Sequence, residues 1–389
     1  MSSAMRSKTV WLSASVLLLS GCATIEDFFD TVRGPQRGAT PQALAKRPIE
    51  AAIDANRFVI DSADQSVVGI PQVVFTRAED TLADFAREYG LGYDELIAAN
   101  PTIDPWLPGE NTPVLLPTQF VLPDVPRQGI VLNIASKRLF YFPGDGVQHD
   151  PETGEFVSQT VLTYPIGIGR VGWETPLGST TVVSKARDPA WYVPLSVRRE
   201  HAELGDPLPA VVPPGPDNPL GSRVLKLNMP GYLIHGTNQP YGVGMRVSHG
   251  CVRLYPENIE LLYELVGIGE PVMIVNEPYL LGQFDGDWYF ESHAPLADDT
   301  IESSARLEAV IESVDENFSP PLKDHIRALA SAVSGVPVRI AEYDEAEVFA
   351  RVRRVENTIE ENPEAPTIEE VREMIDEAVA EAELEEEGA

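Results

Sequence analysis

Residues 129–276 fall into short runs rich in β-branched and aromatic side chains, each closed by glycine, proline or aspartate. The runs at 130–134, 138–142, 157–164, 180–184, 232–235 and 271–276 read as strands, and only 256–266 reads as a helix. Short strands at this spacing specify a sandwich or a barrel, so the fold expected is mainly β. Glycine and proline, 29 and 34 of the 389 residues, supply the turns that such a fold needs and argue against a helical bundle. Hydrophobic residues make up 43%, enough for a sizeable core and too many for wholesale disorder. A formal net charge of −31 repels nucleic acid and anionic membrane surfaces, which excludes a nucleic-acid-binding role.

The flanks differ in character from this region. Arg6 and Lys8 precede an apolar stretch at 10–19, too short to span a bilayer and of the right length for a signal-peptide core. It ends in Leu19-Ser20-Gly21-Cys22, which resembles the bacterial lipobox. That resemblance implies removal of residues 1–21, lipidation of the Cys22 thiol and a membrane anchor; Ala23 after the cysteine implies the periplasmic face of the outer membrane. The alternative is an ordinary secretory signal with an incidental cysteine. Residues 22–57, rich in Pro, Gly, Gln and Arg over their later part, read as a linker.

Residues 73–117 read as a small αβ unit. Val73, Val74 and Phe75 suggest a strand, and Asp80 stands ahead of Leu82, Phe85, Ala86 and Tyr89 at helical spacing. A second helix ends at Asn100-Pro101, and Pro108-Gly109 turns into Val114-Leu115-Leu116. The unit, placed within 58–123, resembles the LysM module, which implies binding of N-acetylglucosamine-containing glycans; a small docking domain without sugar affinity is the alternative. At the other end, 26 acidic against 8 basic residues follow Ala297, and this shift marks an acidic extension over 298–389. Stripes at Leu307, Val310, Ile311, Val314 and Phe318, at Leu322, Ile326, Leu329 and Val333, and at Val348, Phe349, Val352, Val355 and Ile359 read as amphipathic helices. Thr367 with Glu370 reads as the capping box of a last helix carrying Val371, Ile375 and Val379.

The chemistry concentrates at one place. Only two cysteines occur, which excludes a disulfide framework and a multi-cysteine metal site. With Cys22 assigned to lipid, Cys251 is the candidate nucleophilic thiol. A thiol of ordinary pKa is mostly protonated at neutral pH and needs a base or a positive charge beside it. His235 ends an apolar run, and His249 and Arg253 flank the cysteine. Extended backbone over 249–253 would turn His249, Cys251 and Arg253 to one face. Gly250 would admit substrate closely, and amides around Gly250 and Cys251 would form an oxyanion hole. Two other readings compete: a zinc site of two histidines and one cysteine, lacking an acidic fourth ligand, and an inert buried cysteine between satisfied histidines. His149, His201, His293 and His325 read as surface or packed residues, and Trp106 and Trp288 as core; Trp191 reads as core, with a place lining the substrate cleft as the alternative.

His235-Gly236-Thr237 followed by Ser248-His249-Gly250-Cys251 resembles the signature of the L,D-transpeptidase family. The likeness continues through Pro165-Ile166-Gly167-Ile168-Gly169-Arg170, Thr175-Pro176-Leu177-Gly178, Pro189-Ala190-Trp191 and Gly215-Pro216-Asp217-Asn218-Pro219-Leu220-Gly221. It implies a YkuD-type β-sandwich catalytic domain over 124–297, preceded by the LysM-like module and followed by the acidic helical extension. It implies catalytic roles for Cys251, His235, His249, Gly236 and Gly250, and substrate contacts from Arg253, Ser248 and Thr237. In this reading Cys251, deprotonated by a His235 that the Gly236 carbonyl orients, forms a thioester with the diaminopimelate of a tetrapeptide stem and expels D-alanine. An amine then takes the acyl group, either from another peptidoglycan stem or from an outer-membrane protein. His249 would support the thiolate, and Arg170, Arg246 and Arg253 would give the cleft a positive field. Stem peptides and glycan strands are the partners implied, and no metal or organic cofactor is. A thiol hydrolase of the same fold and a non-catalytic peptidoglycan-binding lipoprotein are the rival functions.

Overall fold

The computed structural model of the protein describes residues 41–297, 299, 301–314, 318–340, 348–360 and 368–383. The elements used below are, in chain order, β1 (Arg57–Ile60), β2 (Gln72–Phe75), α1 (Leu82–Glu88), α2 (Tyr93–Ala99), β3 (Pro113–Leu116), β4 (Gly129–Asn133), β5 (Arg138–Phe142) and β6 (Phe156–Pro165). They continue with β7 (Gly178–Arg187), α3 (Leu195–Glu203), β8 (Arg223–Leu227), β9 (Leu233–His235), β10 (Arg246–Ser248), β11 (Val252–Arg253), α4 (Pro256–Leu265) and β12 (Pro271–Val275). The last are β13 (Tyr279–Phe284), β14 (Asp287–Ser292), α5 (Ser303–Ser313), α6 (Pro320–Ala330), β15 (Val338–Ile340), β16 (Arg353–Arg354) and α7 (Ile368–Glu383).

The mainly β fold is present. A ten-stranded array runs β1–β6–β5–β4–β12–β7–β8–β9–β11, with a short strand at Val147–His149 beside β6. β7 is the hinge of this array. Its first part, Gly178 to Thr181, pairs with β12, and its remainder pairs with β8 across a register shift between Val182 and Ser184. A strand that changes partners at a bulge is how two sheets of a sandwich share one strand. Side chains from both halves, among them Ile130, Leu132, Leu139, Leu225, Ile234 and Val252, meet Ile259, Leu262 and Val266 from α4 and its end in one core.

β4 and β5 are buried along their whole length, and strand alternation explains where each face goes. Ile130, Leu132, Leu139 and Tyr141 point into the sandwich core. Val131, Phe140 and Phe142 point the other way, onto Val74, Leu82, Phe85, Leu96, Val114 and Leu116 of the αβ unit. That unit has the strand–helix–helix–strand order read from sequence, with β2 antiparallel to β3. Asn100 closes α2 and locks it to β3: its amide donates to the Leu96 and Leu115 carbonyls and accepts from the Leu115 N–H. The unit's own sheet alternates as well, since Val73 and Leu115 face a third core.

This third core moves the boundary expected at 297. β13, β14 and β15 form one antiparallel sheet, so residues on both sides of Ala297 belong to a single structure. Tyr279 and Phe290 pack there with Ile311, Phe318, Leu322, Ile326 and Leu329. The first two stripes are helical over α5 and α6, while Phe318 and Val333 lie beyond these helices and Val333 has a φ of +44°. The third stripe is not a helix throughout. Val348–Arg351 makes one turn, and the chain then extends as β16, parallel to β2. Val352 and Val355 are buried by this path, Val352 in the third core and Val355 against the αβ unit. β1, placed by sequence at the edge of the linker and the αβ unit, is an edge strand of the large sheet on β6. Met1–Thr40, with Cys22, lies outside the described residues, as does Thr367 of the expected capping box.

Candidate active site

His235 is the last residue of β9, a short strand between antiparallel β8 and parallel β11. The pairing sets Ile234 opposite Val252 and His235 opposite Arg253, which brings Cys251, just ahead of β11, beside the histidine-bearing strand. The His235 ring is buried, and its Nδ1 lies 2.6 Å from the Gly236 carbonyl oxygen. Only an Nδ1–H can make that bond, so the neutral ring carries its lone pair on Nε2. Burial, and then the charge of Arg253, hold the imidazole down to a pKa of about 3, against a smaller opposing effect of the Gly236 bond. Burial likewise pushes the Cys251 thiol up, while the Leu233 backbone N–H and the Arg253 charge pull it back. The thiol donates to the Gly231 carbonyl at 3.5 Å. The resting pair is a neutral thiol and a neutral imidazole, with one guanidinium acting on both.

The loop from Ser248 to Cys251 is not extended. Gly250 has a φ of +93°, and a Cβ there would stand 3.0 Å from the Tyr232 ring and 3.3 Å from the Trp173 carbonyl oxygen. The turn and its packing both require a glycine here. The turn also separates His249 from the thiol. Of the two side chains flanking the cysteine, Arg253 acts on the sulfur, while the His249 Nε2 lies 2.9 Å from Glu200 Oε2 and 3.1 Å from Arg170 Nη1. The single-face arrangement of His249, Cys251 and Arg253 is therefore corrected: it presumed an extended backbone that Gly250 breaks.

Ser248 and Thr237, expected to touch substrate, are buried and hold backbone instead. The Ser248 hydroxyl donates to the Cys251 carbonyl at 2.5 Å, and Thr237 Oγ1 accepts from the Gln239 N–H at 2.9 Å. Thr175 ties the loop from outside, donating to the Gly250 carbonyl while accepting from the Gly169 N–H. Gly169 permits this approach, because a Cβ there would stand 1.9 Å from the Trp173 carbonyl oxygen. Of the arginines expected to provide a field, Arg246 donates to the Gly169 carbonyl and Arg170 is paired with Glu200. Arg253 exchanges backbone hydrogen bonds with Gly167.

Sequence reasoning missed Glu200 and the helix that carries it. α3 buries only Val197, so it leaves no apolar stripe to read; Pro194, just before the first turn, is the one local signal. Among the described residues, no group of three or more histidine, cysteine, aspartate or glutamate side chains is arranged to hold a metal ion. Among the other expectations, His149 is exposed, while His293 is buried against Glu291 at 2.6 Å. Trp106 and Trp288 are half-buried and pack against hydrophobic cores, and Trp191 is half-buried.

A family model for the YkuD L,D-transpeptidase catalytic domain matches residues 127–274. The chain is 38% identical to "Probable L,D-transpeptidase YbiS" of Escherichia coli (strain K12), over 70% of this chain and 88% of that protein. It is 38% identical to "Probable L,D-transpeptidase ErfK/SrfK" of Salmonella typhimurium (strain LT2), covering 71% of this chain and 88% of that protein. For "Probable L,D-transpeptidase YcfS" of Escherichia coli (strain K12) the identity is 34%, with 74% and 88% covered.

Proposed function

Because this chain belongs to the L,D-transpeptidase family, we propose that it is a cysteine-dependent acyltransferase acting on peptidoglycan stems, with Cys251 as nucleophile and His235 as base. The observation that carries the reading is the His235 tautomer. A buried Nδ1–H bonded to the Gly236 carbonyl leaves Nε2 as a proton acceptor on the strand next to Cys251.

The thiol proton passes to His235 Nε2 as sulfur attacks the carbonyl carbon of the stem's diaminopimelate. The tetrahedral oxyanion is held by backbone N–H groups of residues 249–251. The bond to the terminal D-alanine nitrogen then breaks, its electron pair stays on nitrogen, and that nitrogen takes the proton from His235. In the second half an acceptor amine attacks the thioester carbonyl, yields a proton to His235, and the thiol leaves with it. Arg253 lowers the cost of the negative sulfur. The αβ unit over 58–123 is the part we assign to glycan contact, and lipid on Cys22 is the anchor at the outer membrane.

Incubation with tetrapeptide muropeptides, followed by mass spectrometry, tests the chemistry. D-alanine release and covalent labelling by a carbapenem, whose strained carbonyl imitates the donor, are expected at Cys251 and absent in Cys251→Ala. A label on any other residue overturns the assignment. Adding an amine acceptor separates transfer from hydrolysis, since only transfer yields the amide product. The anchor is tested by Cys22→Ala, which is expected to leave the membrane fraction; unchanged fractionation and fatty-acid labelling would sink it.

A further inference from the structure

The catalytic loop is gripped from outside by a helix that contributes no atom to the proposed chemistry. α3 stands off the sandwich, with Val197 as its buried apolar contact. Three residues further on, Glu200 reaches the loop. One carboxylate oxygen pairs with Arg170 Nη2, and the other lies 2.9 Å from His249 Nε2. Arg170 is almost wholly buried, at 2% side-chain exposure, against 15% for Glu200 and 19% for His249. Its backbone N–H also donates to the Ser248 carbonyl at 2.9 Å. The Trp173 ring stands edge-on to His249 at 5.0 Å, and the His201 ring, itself 3.6 Å from Asp206, lies 6.0 Å from it.

We propose that Glu200 is a positioning residue of the active site: its carboxylate, shared between Arg170 and His249, fixes the His249 ring and through it the backbone that presents Cys251. This rests on the reading of Cys251 as nucleophile. His249 Nε2 faces the Glu200 carboxylate at 2.9 Å and Arg170 Nη1 at 3.1 Å. The guanidinium only donates, so the shorter, charged contact to the carboxylate decides for the tautomer with hydrogen on that nitrogen, as a third group orients the base of a catalytic triad. His249 is joined to Cys251 through Gly250 alone, a residue in the left-handed region whose backbone has no side chain to restrain it. Holding the ring therefore holds the two peptide units that carry the sulfur and the oxyanion donors. An error of about 1 Å in such groups costs on the order of a hundredfold in rate. The buried Arg170 makes the grip strong, because a carboxylate paired with a guanidinium of 2% side-chain exposure is costly to remove.

The test separates positioning from mere folding. Glu200→Gln keeps the shape of the side chain and removes its charge. It is expected to slow carbapenem acylation of Cys251 by about tenfold or more in the first-order step while leaving the non-covalent inhibition constant within about threefold. Glu200→Asp, with the charge but a shorter reach, is expected to recover part of the rate. Arg199→Ala, an exposed neighbour on the same helix, is expected to acylate within about twofold of the native enzyme. A Glu200→Gln rate within about twofold of native, or an equal loss in Arg199→Ala, overturns the proposal. Nitrogen NMR of the His249 ring in the native enzyme is a second reading that needs no variant to fold: the Nε2–H form is expected, and a dominant Nδ1–H form overturns the proposal. If native enzyme takes no label at Cys251, the functional reading falls, and the ring spectrum still judges the clamp.

Discussion

A neutral imidazole beside a neutral thiol sets how the site responds to acid. His235 is held down to about 3 by burial and by Arg253, so it stays uncharged through the range in which an ordinary histidine titrates. The rate of Cys251 acylation is expected to show no inflection near pH 6.5, and to climb towards alkaline pH because burial has pushed the thiol up. An acid limb centred near 6.5 in the acylation rate would contradict this. The sign for stability follows from the same shift. Below pH 6.5 the unfolded chain binds a proton at His235 that the native state refuses until about pH 3, so stability falls as pH falls through that window. The loss is about 1.4 kcal/mol per pH unit. His235→Gln is expected to flatten that part of the melting-temperature profile. Cys251 was legible as the candidate thiol left once Cys22 is assigned to lipid, His235 as the end of an apolar run, and Arg253 as a cation flanking the cysteine. The loop between Ser248 and Cys251 was legible only as a motif, and its conformation turns on one dihedral angle at Gly250 that no periodicity encodes.

Between elements, the contact most exposed to test is Arg138 on β5 with Glu95 on α2, 2.7 Å apart at 2% and 8% side-chain exposure. Arg138 shares its face of β5 with Phe140 and Phe142, the face that meets the αβ unit, and its guanidinium lies 3.9 Å from the centre of the Phe120 ring. Glu95→Ala strands that charge and is expected to cost about 3–5 kcal/mol in denaturant unfolding. Replacing Glu95 and Arg138 together by leucine and methionine is expected to cost less than Glu95→Ala alone. A loss below about 1 kcal/mol in the single variant would mean that water reaches the guanidinium. The strands themselves were readable: 138–142 was anticipated at the bounds observed, since every residue there is apolar, aromatic or the buried arginine. α3 was not readable, because a helix anchored by one valine and one carboxylate lacks the periodic stripe that sequence reasoning depends on.

Over the whole molecule, the acidic extension is structural rather than appended. The expected boundary followed charge, but the two helices that pack into the third core carry none of the excess: Arg306, Glu308 and Glu312 on α5 are balanced by Lys323, Asp324 and Arg327 on α6. A chain ending at residue 297 loses Ile311, Phe318, Leu322, Ile326 and Leu329, and uncovers Val73, Leu115, Tyr279 and Phe290. Each large apolar side chain so uncovered costs about 1.5–3 kcal/mol. The truncated protein is expected to melt about 10 °C lower or more and to become protease-sensitive within 58–123, far from the cut. An unchanged melting transition would restore the picture of an independent tail.

β16 carries one more consequence, for the order in which the chain folds. It lies against β2, and nearby Asn357 donates to the Phe75 carbonyl across 282 residues of sequence. The αβ unit thus lacks a neighbouring strand until residue 354 has been made. Loop closure over such a span is slow, and contacts of this length set the pace of folding more than its end point. A product of premature termination cannot cover that edge, so an incomplete chain presents its defect at the end made first, where a protease finds an unpaired strand instead of a finished sheet.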